Sequence, residues 1–570
     1  MKRRDLWYKN AIIYCIDVET FQDSNNDGIG DFGGLLMRLE KIASLGYTCI
    51  WLLPFYPTPN RDNGYDITDY YAVDPRLGSL GDFVEFVHAA RDYGIRVIID
   101  LVVNHTSIEH PWFQDARSDP NSRYRNYYIW SKEKPPDARE GMVFPGVQNT
   151  TWTFDRKAQM YYFHRFYNHQ ADLNTANPEV RDEICKIMGF WLQLGVSGFR
   201  IDAAPFLVEM RKVQEPGVSD PYEYLTEFRR FLSWRKGDAV MLAEANVPMK
   251  DIPEYFGQGD RMHMLFHFML NQHLFLALAC GEAEPIKRAL YMPPPIPETG
   301  QWAIFLRNHD EIDLSGLTDE ERREVFAAFG PEPEMQIYNR GIRRRLAPML
   351  GGDRRRLELM FSLLFTLPGT PVIWYGDEIG MGEDLSLDER NSVRTPMQWT
   401  TEQNAGFSTA PEDALIRPVV SEGPYRYKKI NLVNETRDED SLLNRVERLL
   451  RLRKECPEIG YGDWKILEVD QPEVLAHLCE WDGSMVLAVH NLADRPIELT
   501  INLENEQIDH LLDLIGDEVR PPSENGSYEL DLEAYEYRWL RCIMKPDYAE
   551  EASPLPAEAS GREMPARSHS

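Results

Sequence analysis

Val97-Ile98-Ile99-Asp100-Leu101-Val102-Val103-Asn104-His105 is an almost unbroken apolar run that ends in two polar residues. A strand with one wet face alternates apolar with polar, whereas a strand covered on both faces of a parallel sheet reads as continuous hydrophobics. Runs of this kind recur at 11–14, 49–53, 97–101, 198–201, 240–242, 263–268, 302–306 and 371–374. Amphipathic segments fill the gaps, with apolar residues at helical spacing such as Phe83, Phe86, Val87 and Ala90, or Ile184, Ile187, Trp191 and Leu194. Eight strand–helix alternations predict an α/β fold of the closed (β/α)8 TIM-barrel kind over an open doubly wound sheet, because the eighth strand can close on the first.

The alternation is interrupted after the third strand. Residues 105–172 are irregular and aromatic (Tyr124, Tyr127, Tyr128, Trp130, Trp152, Tyr161, Tyr162), which predicts a small inserted domain. A last amphipathic helix carries Leu443, Val446, Leu450 and Arg453 at helical spacing. Beyond it, short strands are predicted at 464–469, 474–480, 485–491, 497–503 and 528–532, with turns at Asp482-Gly483 and Asn525-Gly526. The expected organisation is a barrel from 1–104 and 173–459, the insert at 105–172, and a C-terminal antiparallel β-sandwich at 460–546. A Pro/Ala/Ser/Glu-rich tail at 547–570 is expected to be disordered.

The chain has 570 residues and a net charge of −30, so its surface repels phosphate backbones and anionic lipid and excludes nucleic acid and membranes as partners. Seven scattered cysteines are an odd set in a long chain and do not make a disulfide framework. The basic start lacks an apolar signal region and no long apolar span follows, so the cytoplasm is expected.

In a (β/α)8 barrel, reacting groups come from the C-terminal ends of the strands. The polar residues there are Asn104-His105, Arg200-Ile201-Asp202, Glu244 and Asn308-His309-Asp310, with Gly64-Tyr65-Asp66 in the loop after the second strand. Strand alternation puts Arg200 and Asp202 on one face, and an arginine beside a carboxylate favours its ionised form, as a nucleophile needs. Glu244 emerges from apolar Val240-Met241-Leu242-Ala243, so desolvation and neighbouring carboxylates should raise it toward the range of a general acid. Asp310 completes three carboxyls that could work around one sugar carbon, with His105 and His309 as hydrogen-bond donors. Taken singly, any of these is more often a cap or an ion-pair partner; the joint pattern carries the reading.

Four segments, Asp100–His105, Gly198–Asp202, Ala243–Asn246 and Arg307–Asp310, resemble in order and spacing the motifs of the α-amylase superfamily, glycoside hydrolase family 13. The resemblance implies Asp202 as nucleophile, Glu244 as acid/base and Asp310 as transition-state stabiliser. It implies that Tyr65, Asp66, His105, Arg200 and His309 hold the donor glucose. Gln170-Ala171-Asp172-Leu173-Asn174 is similar to the oligo-1,6-glucosidase signature. Longer stretches (342–348, 375–382, 393–399) resemble the trehalose synthase branch, which implies interconversion of maltose and trehalose with side hydrolysis to glucose. In that branch Asn246 and Arg390 lie near the second sugar. Asp310-Glu311-Ile312-Asp313-Leu314-Ser315 and Asp388-Glu389-Arg390 depart from the branch's usual runs. Isomerisation requires the released glucose to stay and water to stay out, so the insert and the 315–350 segment are candidate lids. The alternative readings are an α-glucosidase on short α-glucosides and a catalytically dead sugar-binding barrel. A disaccharide is the expected partner, with a homo-oligomer possible.

Asp23-Ser24-Asn25-Asn26-Asp27-Gly28-Ile29-Gly30-Asp31 offers oxygens at alternate positions around a glycine, as an EF-hand-type loop does, and suits Ca2+ or Mg2+; the bland alternative is an Asn/Asp-rich loop that binds nothing. Relatives use the positions of Asp23, Asn25, Asp27, the Ile29 carbonyl and Asp31. The resemblance implies a second structural cation at Asn104, Asp172, the carbonyls of Phe206 and Leu207, and Glu209, with no organic cofactor. The basic runs Arg343–Arg345 and Arg354–Arg356 are expected to be ion-paired in so acidic a chain.

Overall fold

The computed structural model describes residues 3–209, 220–503, 507–523 and 526–545. The expected tail at 547–570 and Asn525 of the second turn lie outside these.

Eight parallel strands close into a barrel: β1 (Ile13–Ile16), β2 (Cys49–Leu52), β3 (Arg96–Leu101), β4 (Gly198–Ile201), β5 (Val240–Ala243), β6 (Met264–Phe266), β7 (Gln301–Phe305) and β8 (Thr370–Trp374). Each pairs with its neighbours in sequence, and β1 pairs with β8 at Ile13↔Val372 to complete the ring. The strands are buried along nearly their whole length, which is why their sequences barely alternate. Helices between them carry local start signals. Asp31 caps the helix Phe32–Leu45, Ser79 and Asp82 form a capping box on Leu80–Asp92, and Asn177 with a following proline starts Pro178–Gln193.

Two excursions leave the barrel on the side where β3 and β7 end. The first runs between β3 and β4. Its base is a two-stranded pair, His105–Ser107 against Gln170–Asp172, and it carries a three-stranded sheet of Trp130–Ser131, Trp152–Asp155 and Met160–Phe163. The second lies between β7 and β8. It holds the helix Asp319–Phe329 and a small sheet of Ile312–Asp313, Gln336–Ile337 and Gly341–Ile342.

After the helix Leu442–Glu455, a six-stranded antiparallel sheet and a two-stranded one (Ile497–Ile501 with Tyr528–Leu532) form the C-terminal domain. The larger sheet is buried on both faces. Tyr537, Trp539 and Leu475 join the barrel's core, while Leu540, Cys542, Val474 and Ala476 pack with Leu499 and Leu530 of the smaller sheet. Three strands here were not predicted: Ile508–Asp513, Val519–Arg520 and Tyr537–Met544. All seven cysteines are free thiols, five of them buried. Among the described residues no helix is long and apolar enough to cross a membrane.

Candidate active site

The ends of β3, β4, β5 and β7 open into a cavity of about 440 Å3. Asp202 follows β4 directly, its backbone N–H donating to the Leu101 carbonyl at 3.2 Å. The next residue, Ala203, is held in the left-handed region at φ 49°, a conformation that costs an alanine free energy and that clusters at functional turns. Its N–H donates to Glu244 Oε2 at 3.1 Å. The β4 turn therefore ties the two carboxyls together.

Arg200 ties them more strongly. It lies beside Asp100 in the β3–β4 register, fully buried, and its Nη1 contacts Asp100 Oδ1 (2.7 Å) and Asp202 Oδ1 (2.5 Å). Its Nη2 meets Glu244 Oε2 at 2.8 Å. One guanidinium thus faces three carboxyls. Burial pushes Asp202 up to about 6, against the opposing pull of Arg200. The pull of the arginine, which by itself predicts a depressed Asp202, is outweighed by desolvation, yet Asp202 stays mostly ionised at neutral pH. Burial raises Glu244 to about 7, with the charges of Asp202 and Asp310 adding to the rise, as expected for an acid.

Asp310 is set differently. Burial alone would raise it, but Oδ1 accepts from the Arg390 (2.7 Å) and Arg394 (2.9 Å) guanidinium groups, and these fixed charges hold it well below the usual carboxylate range. His309 itself is kept neutral by burial, and its Nε2 hydrogen-bonds the Tyr65 hydroxyl at 2.8 Å beneath a stacked ring pair.

Of the residues expected to hold sugar, Tyr65, His105, Asn246 and Arg390 line the cavity with Asp202, Glu244 and Asp310. Arg200 and His309 stand behind that wall and orient it. Asp66 does not reach the cavity. It is fully buried and accepts from the Thr58 hydroxyl (2.9 Å) and from the N–H groups of Arg61 and Asp62 (3.1 Å each), so it organises the loop. Asp62 lines the cavity in its place and takes Arg390 Nη2 at 3.1 Å, so Arg390 spans Asp62 and Asp310. Asp62, Phe144, Phe166, Glu311, Asp313 and Arg340 were missed among the lining residues, and Arg394 behind them. The position of Asp62, three residues before Tyr65 on the same loop, was the available signal.

Both excursions roof the cavity. Phe144 of the insert packs on Tyr338 with ring centroids 4.9 Å apart, Arg340 Nη1 donates to the Val143 carbonyl at 2.9 Å, and the Tyr338 hydroxyl donates to Glu389 at 3.0 Å.

The Asp23–Asp31 loop has the expected turn. Asp23 Oδ2 accepts from Gly28 N–H at 2.9 Å, with Gly28 at φ 91°, and Asn25 and Asp27 each accept from the residue two further on. Asp31 points both oxygens at Ser24 and at Gly34 of the helix it caps. At the other expected site, Asn104 and Asp172 are in contact at 3.4 Å, Leu207 O accepts from Thr175, and Glu209 is ion-paired with Arg165, whose guanidinium stands over the Phe206 ring. A guanidinium already meets that negative charge, so this donor set does not fit a metal. Among the described residues no three acidic, histidine or cysteine side chains gather in a way that could hold one. Four of the six arginines in the two runs are ion-paired, Arg344 with Glu383, Arg345 with Asp377, Arg354 with Glu358 and Arg355 with Asp353, whereas Arg343 donates to the Glu334, Leu385 and Glu389 carbonyls and Arg356 stands over the Phe329 and Tyr535 rings.

The model of the alpha amylase catalytic domain matches residues 15–329 and 336–462, and that of the sucrose hydrolase-like C-terminal domain matches 483–541. A trehalose synthase of Thermus thermophilus is 44% identical over 98% of this chain, which spans 59% of that protein's length. The trehalose synthase/amylase TreS of Mycobacterium tuberculosis is 42% identical over 94% of this chain and 90% of its own. An oligo-1,6-glucosidase of Bacillus cereus is more distant at 28%. Among solved structures, an alpha-amylase from H. orenii superposes with TM-score 0.75 at 28% identity, covering 94% of this chain and 100% of that one. The trehalulose synthase MutB does so with TM-score 0.73 at 26%, covering 94% and 100%.

Proposed function

This chain belongs to the alpha-amylase family, and from that premise we propose that it interconverts maltose and trehalose, with some hydrolysis to glucose. The observation that carries the chemistry is the single Arg200 guanidinium bridging Asp202 and Glu244. Two carboxyls held that closely suit the short spacing of about 5–5.5 Å used in double displacement with retention. Asp202 attacks the anomeric carbon of the non-reducing glucose while Glu244 gives its proton to the leaving oxygen. The C1–O bond to the second glucose breaks as the bond to Asp202 Oδ forms. The freed glucose turns within the cavity and offers its own anomeric hydroxyl. Glu244, now ionised, takes that proton as the oxygen attacks, and Asp202 leaves. Asp310, held ionised by Arg390 and Arg394, faces the positive charge that develops at the ring.

The likeness to trehalose synthases over nearly the whole chain favours transfer over simple hydrolysis, and the roof of Phe144, Tyr338 and Arg340 supports retention of the glucose. Incubation with pure maltose should yield trehalose with a smaller amount of glucose. Glucose alone would leave the α-glucosidase reading in place. Seven unpaired thiols favour a reducing compartment, and we place the protein in the cytoplasm.

A further inference from the structure

Asp313 is a carboxylate on the cavity wall that none of the catalytic steps uses. It sits in the second excursion, where Ile312–Asp313 pairs with Gly341–Ile342. Its Oδ2 accepts from Arg340 Nε at 3.2 Å and from Asn246 Nδ2 at 3.3 Å, and its Oδ1 accepts from Ser315 N–H at 2.7 Å. Arg340 spends its other two nitrogens on Glu311 Oε1 (3.3 Å) and on the Val143 carbonyl (2.9 Å) of the inserted domain. Asp313 therefore joins three separate parts of the wall: the loop after β5 through Asn246, its own excursion, and the insert through Arg340.

The contact to the insert is the one that closes the cavity. Gly141, Met142, Val143 and Phe144 all line it, and the Arg340–Val143 bond and the Phe144–Tyr338 ring pair clamp that segment against the second excursion. A guanidinium makes a directional contact only while its fork is held. Asp313 and Glu311 hold the fork of Arg340 from two sides, and both carboxylates are largely buried.

We propose that Asp313 is a positioning residue that, through Arg340, latches the 141–144 segment of the insert over the cavity and so sets the split between transfer to the retained glucose and transfer to water. The inference rests on the isomerase reading above. With the latch weakened, the segment opens more often during the life of the glucosyl–Asp202 species, glucose leaves, water enters, and hydrolysis gains.

The test compares the wild type with Asp313→Ala, Asp313→Glu and Arg340→Gln on maltose, measuring trehalose and glucose together, with hydrogen exchange followed over 141–147. Asp313→Ala and Arg340→Gln should raise the glucose-to-trehalose ratio about fivefold, the scale of losing one partly exposed ion pair, and should speed exchange over 141–147. Asp313→Glu, which can still reach Arg340, should return the ratio most of the way to the wild-type value. A purely structural role would lower the melting temperature and the overall rate but leave the ratio alone, and that result overturns the latch. A changed ratio without faster exchange over 141–147 overturns it as well, because the effect would then lie on the substrate. A wild type that makes no trehalose at all removes the isomerase reading itself, a result distinct from either of these.

Discussion

Burial lifts Glu244 to about 7 and Asp202 to about 6, and the chemistry asks opposite protonation states of them. The first step needs Asp202 ionised, so activity falls as pH drops through about 6. It needs Glu244 protonated, so activity falls as pH rises through about 7. The expected profile of kcat/KM on maltose is a narrow bell with those two limbs. Glu244→Gln should cost about 10²–10⁴ in kcat and abolish the alkaline limb; a limb that survives the substitution assigns it to another group, with Glu311, also raised to about 7 by burial, next in line. A second contrast separates Asp62 from Asp66. Asp66→Ala would orphan two backbone donors under the loop, those of Arg61 and Asp62, while Thr58 keeps the Asp66 carbonyl; the loss is on the order of 2 kcal/mol, seen as a lower melting temperature. Asp62→Asn should instead raise KM about tenfold with a smaller change in melting, since its partner Arg390 keeps Asp310. Equal behaviour of the two variants would contradict the placement of Asp62 at the cavity and Asp66 beneath it. Motif position alone could not divide these residues, because both are aspartates on one loop and only the turn of the chain decides which faces the sugar.

At the level of elements, the barrel was readable because its strands are dry on both faces. All eight fall within about two residues of the apolar runs, the accuracy at which strand ends are defined. The strands that escaped notice have physical reasons to hide. Ile508–Asp513 carries a register shift between Ile508 and His510, which breaks the period-two pattern that betrays a strand. Tyr537–Met544 has adjacent buried residues, Trp539 and Leu540, because one face of its sheet lies on the barrel and the other on the smaller sheet. Strands of two residues, such as Gln336–Ile337 and Gly341–Ile342, are too short to show any period. The roof of the cavity is built from these short pieces. The residues that close it, Phe144, Tyr338 and Arg340, fall within the two segments expected as lids, but pieces this short carry no pattern that singles them out beside the catalytic carboxyls at the strand ends.

The whole molecule couples its two large units through a buried polar seam between the helix Arg354–Thr366 and the six-stranded sheet. His490 Nε2 pairs with Ser362 Oγ at 2.9 Å, His477 Nε2 with the Thr366 carbonyl at 2.9 Å, and the two rings stack within 4° of parallel. Trp539 Nε1 donates to the same Ser362 oxygen at 2.8 Å, and Tyr537 reaches Glu358 at 3.3 Å. Burial pushes His477 down to about 4 and His490 well below its ordinary value, and each ring would repel the other's charge. Both bases are neutral when folded but free to protonate when unfolded. Their contribution to stability is therefore complete above about 6.5 and is lost as pH falls below it. The buried carboxyls Asp377 and Glu378, raised to about 6 and about 7, act in the opposite sense and gain as pH falls, so the wild-type melting curve alone mixes the two. The difference between wild type and His490→Gln isolates the histidine. Glutamine can still bond Ser362 but cannot take up a proton, so the variant should melt below the wild type at pH 7.5 and the gap should shrink or reverse by pH 5. A melting difference that stays constant across that range would show that the seam between barrel and sheet does not titrate.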